Sequence, residues 1–112
     1  MKSCPKTLTP KEKYDLIKSA NIDKLSDHAG EIMGLTGFVI HEEANTDGEL
    51  VKVLNIRDED NNVHATNSPV FIREFEDILE IVEDDASKIQ HIEIVSKKSK
   101  GGRNYITVVW VD

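Results

Sequence analysis

The stretch Ile32-Met33-Gly34-Leu35-Thr36-Gly37-Phe38-Val39-Ile40-His41-Glu42-Glu43-Ala44 reads as extended chain, yet it carries two glycines where a strand interior normally has none. Glycine inside a strand marks a bulge or a sharp coil. The segment is therefore expected to form one long, strongly bent strand. Beyond Ala44 the chain divides into extended runs and a single helix. Asp47-Gly48 is a hairpin signal, and Leu50 to Ile56 supplies the second strand. Asp60-Asn61-Asn62 turns the chain into a short third strand, Val63 to Thr66. Asn67-Ser68-Pro69 then couples a capping side chain to proline at the first helical position. Phe71, Phe75, Ile78 and Val82 fall at i, i+4, i+7 and i+11, which predicts a helix from about Pro69 to Glu83 with one apolar face. Two more strands, Ile89 to Ser96 and Asn104 to Val111, close the chain around a tight reversal at Gly101-Gly102.

Upstream of Ile32, Thr9-Pro10-Lys11-Glu12 is a capping box with proline at N1, so a helix begins there. Tyr14, Leu16, Ile17 and Ala20 give it a short apolar stripe, and Asn21 ends it. Leu25 and Ala29, four apart, predict one helical turn stopped by Gly30. Residues 1–8 show no periodicity and read as a mobile basic leader. The fold class is thus mainly β with helices, an α+β chain whose order is β-β-β-α-β-β behind an N-terminal helix. A long bent first strand that pairs on both sides, with a helix between strands three and four, is the topology of the OB-fold, a five-stranded partly open barrel. The expected organisation is a leader and helix over 1–30, packed on an OB-like barrel over 31–112. A curled antiparallel sheet with its helix on one face is the competing arrangement for the same elements.

At 112 residues the chain is one domain's worth, and 14 Lys+Arg against 21 Asp+Glu give a net charge of −7. The single cysteine, Cys4, excludes an internal disulfide framework and a thiolate zinc cluster, and it fits a reducing, cytoplasmic setting. The longest apolar run, Val108 to Val111, is far shorter than a membrane span. No targeting segment is expected, and no membrane partner. Four histidines, His28, His41, His64 and His91, fall in four separate elements without the close spacing of a metal motif. Asp58-Glu59-Asp60 lacks the glycine and distal Glu of an EF-hand and reads as a solvated acidic turn. There is no phosphate-cradling glycine loop and no convergent catalytic set, so the expectation is a protein that is not an enzyme, with no cofactor and no metal.

The charge is unevenly placed. Lys97, Lys98, Lys100 and Arg103 lie within seven residues that hold no anion, whereas between Val70 and Ala86 one Arg faces seven carboxylates. At physiological ionic strength fields decay over about 8 Å, so a phosphate beside the cationic hairpin is expected to respond mostly to those cations and only weakly to a screened acidic helix on the far side. On the barrel topology this hairpin is the loop between strands four and five, one of the two loops with which OB-folds grip oligonucleotides. Tyr105 follows it directly. Phe38 and His41 on the first strand, Arg57 on the second and His64 on the third complete a candidate surface for base stacking and phosphate contact.

Three strings at these positions, Leu35-Thr36-Gly37-Phe38-Val39-Ile40, His64 to Ile78, and Ser96 to Tyr105, resemble small phage-encoded single-stranded DNA-binding proteins of Gram-positive hosts. The resemblance spans roughly residues 31 to 112. It implies an OB-like module that coats single-stranded DNA in phage or prophage replication or recombination; RNA as the strand, and a replication or recombination protein as a further partner, are left open by the residues. The alternative is an acidic interaction module or inhibitor that presents Glu74, Glu76, Asp77 and Glu80 as a phosphate mimic to a host protein. Homo-oligomerisation through the N-terminal helix or an open barrel edge is compatible with either.

Overall fold

The computed structural model describes residues 2–4, 9–18, 22–83 and 88–111. It is a mixed α+β fold of two sheets. Strands β1 (Lys2–Cys4), β2 (Asp23–Lys24), β4 (Gly37–Ala44), β5 (Leu50–Arg57) and β6 (Val63–Thr66) form one sheet in the order β1-β4-β5-β6-β2. Strands β3 (Ile32–Gly34), β7 (His91–Lys98) and β8 (Asn104–Trp110) form the other, in the order β3-β7-β8. Helix α1 spans Pro10–Lys18, helix α2 spans Pro69–Ile81, and one 3-10 turn covers Leu25–His28.

The glycine-bearing stretch does bend, but it breaks into β3 and β4, and consecutive residues make the switch. Leu35 donates its backbone N–H to Gln90 O on the three-stranded side, and Thr36 donates to Arg57 O on the five-stranded side. A Cβ on Gly34 would lie 3.0 Å from the Glu59 side chain, so this glycine makes room for the turn beyond β5. One strand thus feeds both sheets: β3 pairs with β7, and β4 pairs with β5 from Gly37↔Arg57 to Ala44↔Leu50.

Between the sheets lies the main core. Phe38 and Ile40 of β4, Leu54 and Ile56 of β5, and Ile92, Ile94, Ile106 and Val108 of β7 and β8 meet the buried stripe Phe71, Phe75 and Leu79 of α2. Phe38 and Phe75 stack edge to face with centroids 5.0 Å apart. Ser68 caps α2 by accepting from the Phe71 N–H at 3.4 Å, with Pro69 at N1. A second, smaller core of Leu16, Val39 and Val63 lies on the opposite face of the five-stranded sheet, under α1. Because β4 is covered on both faces, its first five residues are all buried. The expected capping box is present: Thr9 Oγ1 accepts from Glu12 N at 3.1 Å, and Glu12 Oε1 accepts from Thr9 N at 3.3 Å.

Several expectations are corrected. The aperiodic leader contributes β1, antiparallel to β4 with Lys2↔Ile40. The predicted end of the first helix at Ala20 and Asn21 lies outside the described residues. Strand β7 runs two residues past Ser96, so Lys97 and Lys98 belong to the strand and the turn narrows to 99–103. Asp58 is not part of a solvated turn: it is buried, and its Oδ1 accepts the N–H groups of Asp60 and Asn62, both at 2.9 Å.

Candidate functional site

Two regions gather polar chemistry, and the cationic hairpin is the first. Register pairs Lys97 with Tyr105 and Lys98 with Asn104. Alternation puts Ser96, Ile106, Val108 and Trp110 on the core face, and Lys97, Tyr105, Thr107 and Val109 on the other. On that second face Val109 is 43% exposed while Thr107 is buried, so the face opens to solvent only towards its ends. Gly102 closes the turn with φ +81, a conformation that glycine adopts without strain, while Ser99 N donates to Arg103 O at 2.8 Å. Lys97, Lys98, Lys100 and Arg103 are all exposed, and among the described residues none enters an ion pair. Tyr105 is half-buried beside Lys97.

At the base of this hairpin opens a cleft of 440 Å³, lined by Ser26, Thr66, Asn67, Ser68, Ser96, Asn104, Tyr105 and Ile106. Its walls are the end of β6 with the start of α2 on one side, and β7 with β8 on the other. Among the described residues β8 pairs only with β7, and β6 takes the two residues of β2 on its outer edge, so the sheets do not join here. Hydroxyl and amide side chains dominate the lining.

The other four predicted site residues are not brought to this place, and each has a structural reason. Phe38 is 2% exposed and belongs to the main core, so its ring has no free face for a base. His41 is buried under α1, its Nε2 3.1 Å from Asn55 Oδ1, and Asn55 Nδ2 donates to Leu16 O at 2.7 Å. Arg57 clamps the first turn of α1: Nη1 donates to Glu12 Oε2 at 3.1 Å, Nε to Thr36 Oγ1 at 3.0 Å and Nη2 to Thr36 O at 3.1 Å. That guanidinium, with the Thr9 N–H, holds the Glu12 carboxyl below its ordinary range.

His64 belongs to the second region, which spacing along the chain did not reveal. The parallel pairing of β2 with β6 sets Asp23 opposite His64, and the 3-10 turn brings His28 back over both. Asp23 reaches His64 Nδ1 through Oδ1 and His28 Nε2 through Oδ2, the latter at 3.0 Å. The outer nitrogens are also held: His64 Nε2 lies 2.8 Å from Asp58 Oδ2, and His28 Nδ1 lies 3.0 Å from Glu31 Oε2. The two rings meet edge to face at 4.5 Å. Burial opposes ionisation of Asp23 and Asp58, yet the hydrogen bonds from His28 and His64 to the first, and from His64 and two backbone N–H groups to the second, hold both carboxyls below their usual range. The hydrogen bond to Asp23 holds His28 above the ordinary imidazole value.

Of the carboxylates on α2, Glu76 pairs with Lys52 at 3.3 Å and Glu74 is half-buried, leaving Asp77 and Glu80 exposed. No helix among the described residues is long and apolar enough to cross a membrane. No protein family, curated protein or solved structure matches the chain.

Proposed function

We propose that the protein binds single-stranded nucleic acid, DNA foremost, along the β7–β8 hairpin and the cleft at its base, in the manner of a phage-type replication or recombination protein. The observation that carries this reading is the alignment of four cations, without an ion-pair partner among the described residues, with a half-exposed tyrosine at the rim of a polar cleft. Lys97 and Tyr105 are cross-strand neighbours, so a phosphate held by one sits beside a base stacked on the other. Lys98 and Asn104 face the cleft side of the same hairpin, where Thr66, Asn67 and Ser26 offer further hydrogen bonds. The fold that accompanies this reading is an OB-like barrel. Its long first strand is β3 with β4, pairing with β7 on one side and β5 on the other, and its opening lies between β6 and β8. The resemblance of the hairpin sequence to phage single-stranded DNA-binding proteins points the same way. The net charge of −7 then excludes only broad, indiscriminate duplex binding and leaves a local grip.

Fluorescence anisotropy with labelled oligothymidine over a salt series tests the proposal. Each phosphate contact on a single strand contributes about −0.7 to the slope of log K against log salt, so four cations predict a slope near about −3. Neutralising all four to Gln flattens that slope. No binding at low salt, or binding indifferent to the four substitutions, overturns the reading. Oligouridine and duplex competitors in the same assay rank RNA and double-stranded DNA.

A further inference from the structure

The histidine cluster has no part in the proposed hairpin contacts, and its geometry invites a different ligand. Asp23, His28 and His64 each offer a ligand atom within 4.8 Å of the others, and the nitrogens turned to Asp23 are His64 Nδ1 and His28 Nε2. We propose that Asp23, His28 and His64 together bind a divalent transition-metal ion of the zinc type.

The arrangement of hydrogen bonds suits a metal site. Each imidazole has a carboxylate oxygen at both of its nitrogens. A ring that keeps one N–H donates it to the outer carboxylate and leaves a lone pair on the inner nitrogen, which is the form that ligates a metal. The outer N–H of His64 then donates to Asp58 and that of His28 to Glu31, and the inner lone pairs face the metal. Histidine ligands are commonly oriented by an outer carboxylate in this way, and here both rings have one. Asp58 is itself fixed by two backbone N–H groups, so its hold on His64 is rigid.

Distance and donor type agree. Zinc takes imidazole nitrogen and carboxylate oxygen at about 2.0–2.2 Å in tetrahedral geometry, which separates the donors by about 3.3–3.6 Å. The donors lie within 4.8 Å of one another, so the ion would draw them together by side-chain rotation. Two imidazoles favour zinc and its neighbours over magnesium or calcium. Asp23 is about half exposed, with a side chain at 48%, while that of His64 is at 3%, so the ion enters from the Asp23 side and a water completes its shell. The bound ion would fasten β2 and the 3-10 turn onto β6.

The test uses untagged, chelator-stripped full-length protein in a Cys4→Ser background, which removes the only thiol. Zinc is titrated in competition with a chromophoric chelator. One ion per chain is expected, with a higher Tm in its presence. Uptake is lost in His28→Gln and in Asp23→Asn, each shown by circular dichroism to be folded, falls about 10- to 100-fold in Asp58→Asn, and is unchanged in His91→Gln. Histidine ring NMR signals provide a reading that needs no substitution: zinc shifts those of His28 and His64 and leaves those of His41 and His91. Absence of one-to-one uptake at micromolar zinc, uptake that persists in folded His28→Gln, or zinc-induced shifts confined to other histidines overturns the proposal.

Discussion

The β7–β8 hairpin and the Asp23–His28–His64–Asp58 cluster are both built from charged side chains, and they use charge in opposite ways. In the hairpin, four cations stand exposed with no ion-pair partner among the described residues. Charge left free in this manner contributes little to folding and is available to a ligand. In the cluster, Asp23 and Asp58, with the adjoining Glu31, lie against the ring nitrogens of His28 and His64, and His64 and Asp58 are buried. Groups so enclosed are expensive to leave unpaired, and the local architecture depends on them. Free charge is what the proposed binding surface offers a ligand; enclosed charge is what fastens one element to another.

The largest effect that separates the two regions is on stability. His64→Ala leaves the buried Asp58 carboxylate without its imidazole partner and opens a cavity beside it, and stranding a buried hydrogen-bonding group costs about 1–3 kcal/mol before the cavity is counted. Urea denaturation in the presence of chelator reads this directly, as a lower midpoint. Oligonucleotide affinity of the remaining folded protein changes little, because His64 does not line the cleft. A fall in affinity as deep as the fall in stability would merge the two regions into one site. Next in size is Tyr105→Ala, which removes the proposed stacking platform. Loss of one base stack costs about 1–3 kcal/mol of binding, so affinity for oligothymidine falls by about tenfold or more while the urea midpoint moves far less than in His64→Ala.

The same contrast governs what could be read from the chain. The hairpin is local: Lys97, Lys98, Lys100 and Arg103 are adjacent, Gly101-Gly102 announces the turn, and nothing distant is needed to see a cationic tip. The caps at Thr9 and Ser68, the turn at Gly48 and the apolar stripe of α2 are local in the same sense, and all are present. The cluster joins residues 41 apart at its extreme, Asp23 to His64, through a two-residue parallel pairing too short to leave a periodic signature. Pattern placed His28 and His64 in separate elements, which is correct, and could not show that those elements touch. Phe38 shows the complementary difficulty. In a strand buried on both faces alternation is lost, and whether an aromatic serves core or ligand depends on α1 and α2, which cover the sheet from the two sides.

Arg57 tests the rule on a residue that pattern assigned to the ligand and the structure assigns to a clamp. Its partner Glu12 has a carboxyl held below its ordinary value of 4.5, so the pair's contribution is complete above 4.5 and is lost as pH falls through the lowered folded value. Glu12→Gln is therefore expected to lower the urea midpoint slightly at neutral pH and to match the parent well below 4.5. The effect is small because both side chains still reach solvent, which screens the pair. Arg57→Gln is expected to leave the salt dependence of oligonucleotide binding intact; a flatter slope would return Arg57 to the binding surface.

The smallest expected change is also the sharpest test of the comparison. Converting Lys97, Lys98, Lys100 and Arg103 to Gln removes exposed side chains outside any ion pair among the described residues, and substitutions of that kind shift stability by no more than about 0.5 kcal/mol each. Strand β7 is anchored through Ile92 and Ile94 in the core, well away from the tip, so the hairpin keeps its register. Relief of repulsion among four like charges within seven residues offsets whatever hydration is lost, and the net change is near zero or slightly stabilising. An unchanged urea midpoint together with a collapsed salt slope would mean that the tip is held for its ligand and not for the fold. A clear loss of stability would instead show that the lysines shield the β8 edge from solvent or from another chain, which is the ordinary duty of cations beside an unpaired strand.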